Sequence, residues 1–579
     1  MVNFLSWLNS TCYDGLPYAI VTISFVLTFK YIRFPDVTCA GAFVSGGAAA
    51  AYSTVNLGAA PLVAIFLACL AGALGGALTA FFHIALRIDR LLAGILSAFA
   101  LYSINLMILR PTLAYGDSPT LLSTVAELDR EVNLGGIAWH PYAIGLLLGI
   151  VLVIKLSLDW IFDSEFGLAL RALEDEGAGA ATLRRVGIGP ARFQLFALTL
   201  GNALVALSGA LISAKEGAAN VSRGFDVLVT GLIAFLLGVQ LAEWLPNLAE
   251  RLMERRALRQ LRFIVQLRRL RITTLAAIGA VLYFGIVAMS YRVDVPSEWT
   301  KLLLAFFVAL TVGDYAWLRT QFSALRQRQI HPVLSVEPKA GPPPVRPLTA
   351  VANLTYTYPG YSRPALRNVS LTLSGGELVR LAGENGSGKT TLLRLIAGHI
   401  EYANAGRIVI DGVDLTYYPS TRRKHCAYLA QDASLSVVST LTVRENLVLS
   451  DLGARASLTR RCFTRRRNQR LAALLEEFNL PASLSANPSW TLSGGQRQAV
   501  NFLMLAANNP TPRVVLLDEP FNNLDAGNTK HCLAMISALR EKGTTLIIVD
   551  HLMRARLRVD REILLDTPLE ELESARGFG

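Results

Sequence analysis

Gly383-Glu384-Asn385-Gly386-Ser387-Gly388-Lys389-Thr390-Thr391 decides the fold of the C-terminal half of this chain. It fits G-x-x-x-x-G-K-[ST], the pattern of a phosphate-binding P-loop. Glycines at Gly383, Gly386 and Gly388 let the backbone turn tightly, so that successive N–H groups around Asn385 and Ser387 converge on one anion. Lys389 would reach the outer phosphates of a nucleotide. The Thr390 hydroxyl would ligate Mg²⁺, and the helix through Thr391 would add its positive N-terminal end. The context fits: 377–382 reads as a short strand and 391–397 as a helix. The implied cofactors are ATP and Mg²⁺.

Working outward, three more segments carry nucleotide chemistry. Val514-Val515-Leu516-Leu517 is an apolar strand ending in Asp518 and Glu519. Asp518 would hold Mg²⁺ and Glu519 would orient or deprotonate the attacking water. Gln431 closes the strand 427–430 and would contact both metal and water. His551 follows the strand 546–549, near the γ-phosphate. Tyr358 precedes the first glycine turn; it either stacks on adenine or is a packing tyrosine. Leu492-Ser493-Gly494-Gly495-Gln496, followed by a helix and lying between Gln431 and Asp518, resembles the signature of ABC ATPases. Asn522-Asn523-Leu524-Asp525 resembles their D-loop. The resemblance covers 348–555. It implies that Ser493, Gly494, Gly495 and Gln496 of one chain complete the ATP site on another, with Asp525 at the seam. With one P-loop and one signature per chain, it implies a homodimer.

Ahead of this lies a different composition. Mean hydropathy is +0.41, although 17% of residues are charged. Apolar runs of roughly 18–25 residues, the length that spans hydrocarbon, recur at 16–34, 37–56, 59–83, 89–109, 141–162, 191–214, 226–245, 272–291 and 300–318. The Gly- and Ala-rich pair 37–56 and 59–83 reads either as closely packed helices or as a re-entrant pair. Eight arginines between Arg251 and Arg271 face acidic Asp117, Glu127, Asp129 and Glu131 on the opposite side. Lys and Arg accumulate in cytoplasmic loops, so this alternation places the N-terminus outside and residue 320 inside, with the P-loop half in the cytoplasm. The net charge of +12 is explained by the same bias, and no nucleic-acid partner is expected. The six cysteines lack metal or disulfide spacing. His83, Asn105, Lys155, Asp159, Asn202 and Gln240 sit within spans, where polar groups either line a solute path or bond helix to helix. Arg460–Arg470 reads as a solvated or lipid-facing surface.

The loop 163–190 runs Phe166-Gly167-Leu168-Ala169-Leu170-Arg171-Ala172, then Glu174-Asp175-Glu176, then Gly177-Ala178-Gly179-Ala180-Ala181, then Val186-Gly187-Ile188-Gly189. Ala and Leu fall at helical spacing, and a short helix here would be a docking knob. Together with the small-residue span 198–210 and glycines at 224, 231 and 238, it resembles permeases of binding-protein-dependent ABC importers. The likeness is to the branched-chain amino acid and ribose type, and especially to relatives for aromatic amino acids. The resemblance implies a coupling helix in this loop, an extracytoplasmic solute-binding protein, and a small polar solute: an amino acid first, a sugar or nucleoside second. An ABC exporter half is the rival, and nine short-looped spans argue against it.

The expected organisation is therefore multi-domain. An all-α polytopic membrane bundle (1–320) is followed by a proline-rich linker (321–347), extended in character, and an α/β P-loop ABC ATPase (348–579). It would sit in the cell membrane and hydrolyse ATP to drive transport.

Overall fold

The computed structural model describes residues 2–253, 270–293, Trp299 and 347–565. Excepted are Pro111, 130–132, 135–136, Trp139, 176–177, 359–360, Ser362, Asn385, 401–402, 434–435, 453–455, 478–481, 508–511, 522–523, Asp525 and 551–557. The chain forms two compact units: 1–161 with 191–327, and 162–190 with 328–579.

The first unit is helical. In chain order it contains α1 (Val2–Phe25), α2 (Thr38–Leu57), α3 (Pro61–Ala80), α4 (Arg90–Leu109), α5 (Leu121–Asp129) and α6 (Pro141–Phe162). Two short helices of the other unit, α7 (Glu165–Ala172) and α8 (Ala178–Arg185), come next. Then follow α9 (Ala191–Glu216), α10 (Arg223–Met253) and α11 (Ile272–Arg292). Single π-helical turns extend α1 to Tyr31 and α3 to Ala85. Among the described residues, seven helices are long and apolar enough to cross a membrane. Thr38–Leu57 is long enough but is not one of them: Gly, Ser and Thr lower its hydropathy, and most of its side chains are buried among other helices. The run 300–318 and the linker to 346 lie outside the described residues, as do the arginines between 254 and 269. The first helix begins some way before the expected residue 16, because Asn9 and Thr11 are buried in the bundle rather than left to solvent.

The Gly/Ala-rich pair is two continuous helices, not a re-entrant one. The reason is a close approach to α9, which packs on both α2 and α3. A Cβ on Gly76 would lie 2.1 Å from the Leu198 carbonyl oxygen, a backbone atom that cannot swing aside. Small residues allow backbones to meet where apolar burial drives nothing between helices. We expect Gly76→Val to force α3 from α9 and destabilise the bundle by roughly 1–3 kcal/mol, as overpacking does. Its thermal unfolding midpoint in detergent should fall accordingly. The intramembrane polar residues bond between and within helices. Asn105 donates to Gly41 O (3.1 Å), and Asn202 to Asp36 Oδ2 (2.7 Å). Asp159 takes Lys155 (2.7 Å) and the Thr273 hydroxyl (2.7 Å), tying α6 to α11.

The second unit is built on a parallel sheet. Its strands are β1 (Leu378–Ala382), β2 (Cys426–Leu429), β3 (Val514–Asp518), β4 (Thr545–Val549) and β5 (Arg561–Leu564), in spatial order β2-β3-β4-β1-β5. Every residue of β3 and β4 is buried, which is why both read as unbroken apolar runs. An antiparallel sheet that includes Pro347–Tyr356 and Leu366–Ser374 packs beside it.

Candidate functional site

Parallel strands deliver their C-terminal ends to one edge of a sheet, where ligands of such sheets bind. Here β1 leads into Gly383, β2 into Gln431, β3 ends at Asp518 with Glu519 next, and β4 leads into Asp550. Four distant sequence segments therefore share one edge.

The loop after β1 has the conformation the glycines were expected to permit. Gly383, Gly386 and Gly388 have φ of 147°, 90° and 90°. At Gly388 a Cβ would meet the Ala365 carbonyl oxygen at 2.4 Å, so both conformation and space demand glycine. Lys389 opens the helix α12 (Lys389–Ile396) and is buried. Its Nζ donates to the carbonyls of Gly383 (2.7 Å) and Glu384 (2.6 Å), folding back over the loop. Burial lowers its pKa, while Asp518 and Glu519 pull it upward. A buried cation bracketed by two carboxylates and a glycine cradle at a helix N-terminus is a donor set that fits a phosphate chain with its metal. Thr390 lies in the first turn of α12. The Thr391 hydroxyl lies 3.1 Å from the Tyr358 hydroxyl, and Tyr358 packs edge-on to Tyr356 at 4.9 Å.

Asp518 is buried, and its Oδ2 accepts from the Tyr428 hydroxyl at 2.9 Å. Glu519 sits at φ 47°, a left-handed conformation that a non-glycine residue adopts only when its surroundings enforce it. Its N–H donates to Val549 O (2.8 Å), which pins the turn and swings its carboxylate off the strand axis. Gln431 Nε2 donates to Glu519 Oε2 at 2.8 Å, joining two predicted residues across 88 positions of sequence. Ser493 and Gln496 cap the helix α16 (Gly494–Ala507) reciprocally: Ser493 N donates to Gln496 Oε1 (3.1 Å), and Gln496 N to Ser493 Oγ (3.3 Å). Gly494 and Gly495 form its first turn. Asn385, Asp525 and His551 lie outside the described residues.

The loop 163–190 folds as part of this unit. The helices α7 and α8 cross where Gly179 stands; a Cβ there would lie 1.8 Å from Ala172 O. Arg171 pairs with Glu445 (2.6 Å), the residue that also completes a capping box with Thr442 at the helix α14 (Val443–Asp451). Burial works to raise the Glu445 pKa, but Arg171 and Thr442 hold it below the usual range. Asp175 Oδ2 accepts from Ser439 N and Oγ (2.8 and 2.5 Å). The Thr182 hydroxyl donates to Ser436 O (2.7 Å). Arg185 donates to Asn501 Oδ1 (3.2 Å) and to Ser436 Oγ. Burial pushes the Arg185 pKa down to about 10, well short of discharging it at neutral pH. Ser436 follows Gln431 by five positions, and Asn501 lies on α16 behind the signature. The loop thus contacts both the segment that follows Gln431 and the helix that follows Ser493.

One expectation changes. The arginine stretch 460–470 is not merely a solvated or lipid-facing surface. Ser164 and Arg461 form an antiparallel bridge, Glu165 N donates to Arg460 O (3.0 Å), and Arg467 pairs with buried Glu165 (3.1 Å) and Asp451 (2.8 Å). The reason is that Glu165 carries a buried charge into the loop and needs a cation there. Sequence reasoning also missed Tyr428, read only as one residue of an apolar strand, and Arg185, one of two adjacent arginines of which Arg184 is exposed.

Comparison with known proteins follows this division. Residues 8–312 match the family model described as branched-chain amino acid transport system / permease component, and 366–522 the model described as ABC transporter. The chain belongs to the branched-chain amino acid transport permease family, fused to an ABC transporter ATPase. The permease half is 30% identical over 238 residues to a tyrosine transport system permease protein of Clostridioides difficile, covering 41% of this chain and 74% of the relative. The ATPase half is 37% identical over 209 residues to the lipopolysaccharide export system ATP-binding protein of Haemophilus influenzae, covering 36% and 81%. It is also 34% identical to an arabinose import ATP-binding protein of Rhizobium johnstonii, covering 34% of this chain and 38% of that relative. The fused transporter is a multi-pass membrane protein whose cytoplasmic domain binds and hydrolyses ATP to drive transport.

Proposed function

We propose that two copies of this chain form an importer of a small polar solute, an amino acid in the first place, delivered by an extracytoplasmic binding protein. The observation that carries the reading is the permease family match over 8–312, joined to a permease loop docked on the ATPase beside Gln431 and the signature helix. The ATPase relatives are named for both export and import, so direction rests on the permease half. Sugar import is the alternative solute class.

Within each ATP site, Lys389 and the P-loop amides would hold phosphate, and Thr390, Gln431 and Asp518 would hold Mg²⁺, which would supply charge neutralisation for the transferred phosphoryl group. Glu519 takes the proton of the attacking water while Gln431 fixes the direction of its carboxylate. Ser493 and Gly495 of the second copy close the site. Closure moves Ser436 and Asn501, and the loop gripping them carries the motion along the chain into α6 and α9, which flank it. Two discrete global arrangements then alternate.

Proteoliposomes with the ATPase facing outward, and a binding protein with labelled tyrosine or leucine inside, should show ATP-dependent movement toward the ATPase side. ATP-driven movement the other way, without any binding protein, would replace this reading with export. For the homodimer, a Lys389→Ala chain and a Ser493→Arg chain, each inactive alone, should recover partial hydrolysis when co-expressed, because one composite site is then intact.

A further inference from the structure

Tyr428 lies on β2 with its side chain buried beneath the edge where Gln431, Asp518 and Glu519 meet. Its hydroxyl donates to Asp518 Oδ2 at 2.9 Å, and the Arg394 guanidinium, on the helix that follows the P-loop, acts on it electrostatically. A guanidinium only donates and a phenol carries a single proton. That single proton goes to Asp518 Oδ2. The bond joins the strand that leads to Gln431 with the strand that ends at Asp518, and the charge of Arg394 on the P-loop helix lies within electrostatic reach of it.

We infer that Tyr428 is a positioning residue for the metal-holding carboxylate: it binds Oδ2 of Asp518 and so fixes where the second oxygen points. This rests on Asp518 being the Mg²⁺ ligand proposed above. Groups that hydrogen-bond to a metal ligand orient it, and their loss typically weakens metal binding about 10–100-fold. Tyr428 also lines a small cavity with Arg185 and Asn501 of the docked loop's grip. The same residue is thus packed between the loop and the carboxylate.

The test uses the full chain in nanodiscs with Mn²⁺ as the metal probe, read by electron paramagnetic resonance in the presence of a non-hydrolysable ATP analogue. Tyr428→Phe keeps the ring and removes the donor; it should weaken Mn²⁺ binding about tenfold and leave analogue binding in EDTA unchanged. Arg394→Met should shift Mn²⁺ binding in the same direction by a smaller factor, and it serves as the second variant should Tyr428→Phe fail to fold. Asp518→Asn is the reference. If Asp518→Asn weakens Mn²⁺ binding and neither Tyr428→Phe nor Arg394→Met does, the positioning role is overturned while the ligand stands. If Asp518→Asn itself leaves Mn²⁺ binding unchanged, the ligand assignment falls, and this inference with it.

Discussion

Glu519→Gln should reduce ATP hydrolysis by about 10²–10⁴-fold, the span typical of a lost general base, while nucleotide affinity stays within a few-fold of the parent. The substitution is nearly isosteric and retains an amide oxygen for Gln431 Nε2, now 2.8 Å from Glu519 Oε2. The turn should also survive, since its φ of 47° is pinned by the Glu519 N–H to Val549 O rather than by the side chain. What disappears is the basic oxygen. Single-turnover phosphate release, with nucleotide binding measured separately, distinguishes the two effects. Hydrolysis at the parental rate would remove Glu519 from its role. Gln431→Ala should give a smaller loss, about tenfold, because it orients that carboxylate and helps hold the metal but takes no proton.

Arg185→Ala should uncouple the engine from the bundle. Hydrogen bonds to charged groups contribute about 1.5–3 kcal/mol each, and Arg185 makes such bonds to Asn501 and Ser436 from a half-buried position. Losing them should lower the docked population by about tenfold to a hundredfold, since each 1.4 kcal/mol is a factor of ten. Solute moved per ATP hydrolysed should fall by a comparable factor while basal hydrolysis persists. The exposed neighbour makes the control: Arg184→Ala should leave the ratio unchanged. Parallel loss of uptake and hydrolysis by Arg185→Ala, with the ratio unchanged, would mean a folding defect and not uncoupling. Arg171→Ala should act in the same direction, because Glu445 then keeps its cap to Thr442 but loses its cation.

Much of this protein is written locally in its sequence. The P-loop could be read because glycine conformation, a lysine and a hydroxyl at fixed spacing are short-range requirements. The spans could be read because a bilayer imposes length and apolarity on each helix separately. The carboxylates at 518 and 519 could be read because they break an otherwise apolar buried strand at its C-terminal end. Three things were not local. Whether 37–83 was re-entrant or two helices depended on α9, whose backbone fills the space that Gly76 leaves open. The arginines at 460–470 look alike in sequence, and only the buried Glu165 selects Arg467 as its partner. Tyr428 is one apolar-strand residue among four until Asp518 of a neighbouring strand meets its hydroxyl. A lone polar group becomes specific through the partners burial forces on it, and those partners come from distant sequence. The sequence by itself determined which chemistry the cradle at 383–391 performs. Tertiary structure decided what holds that chemistry in register and which loop it can move.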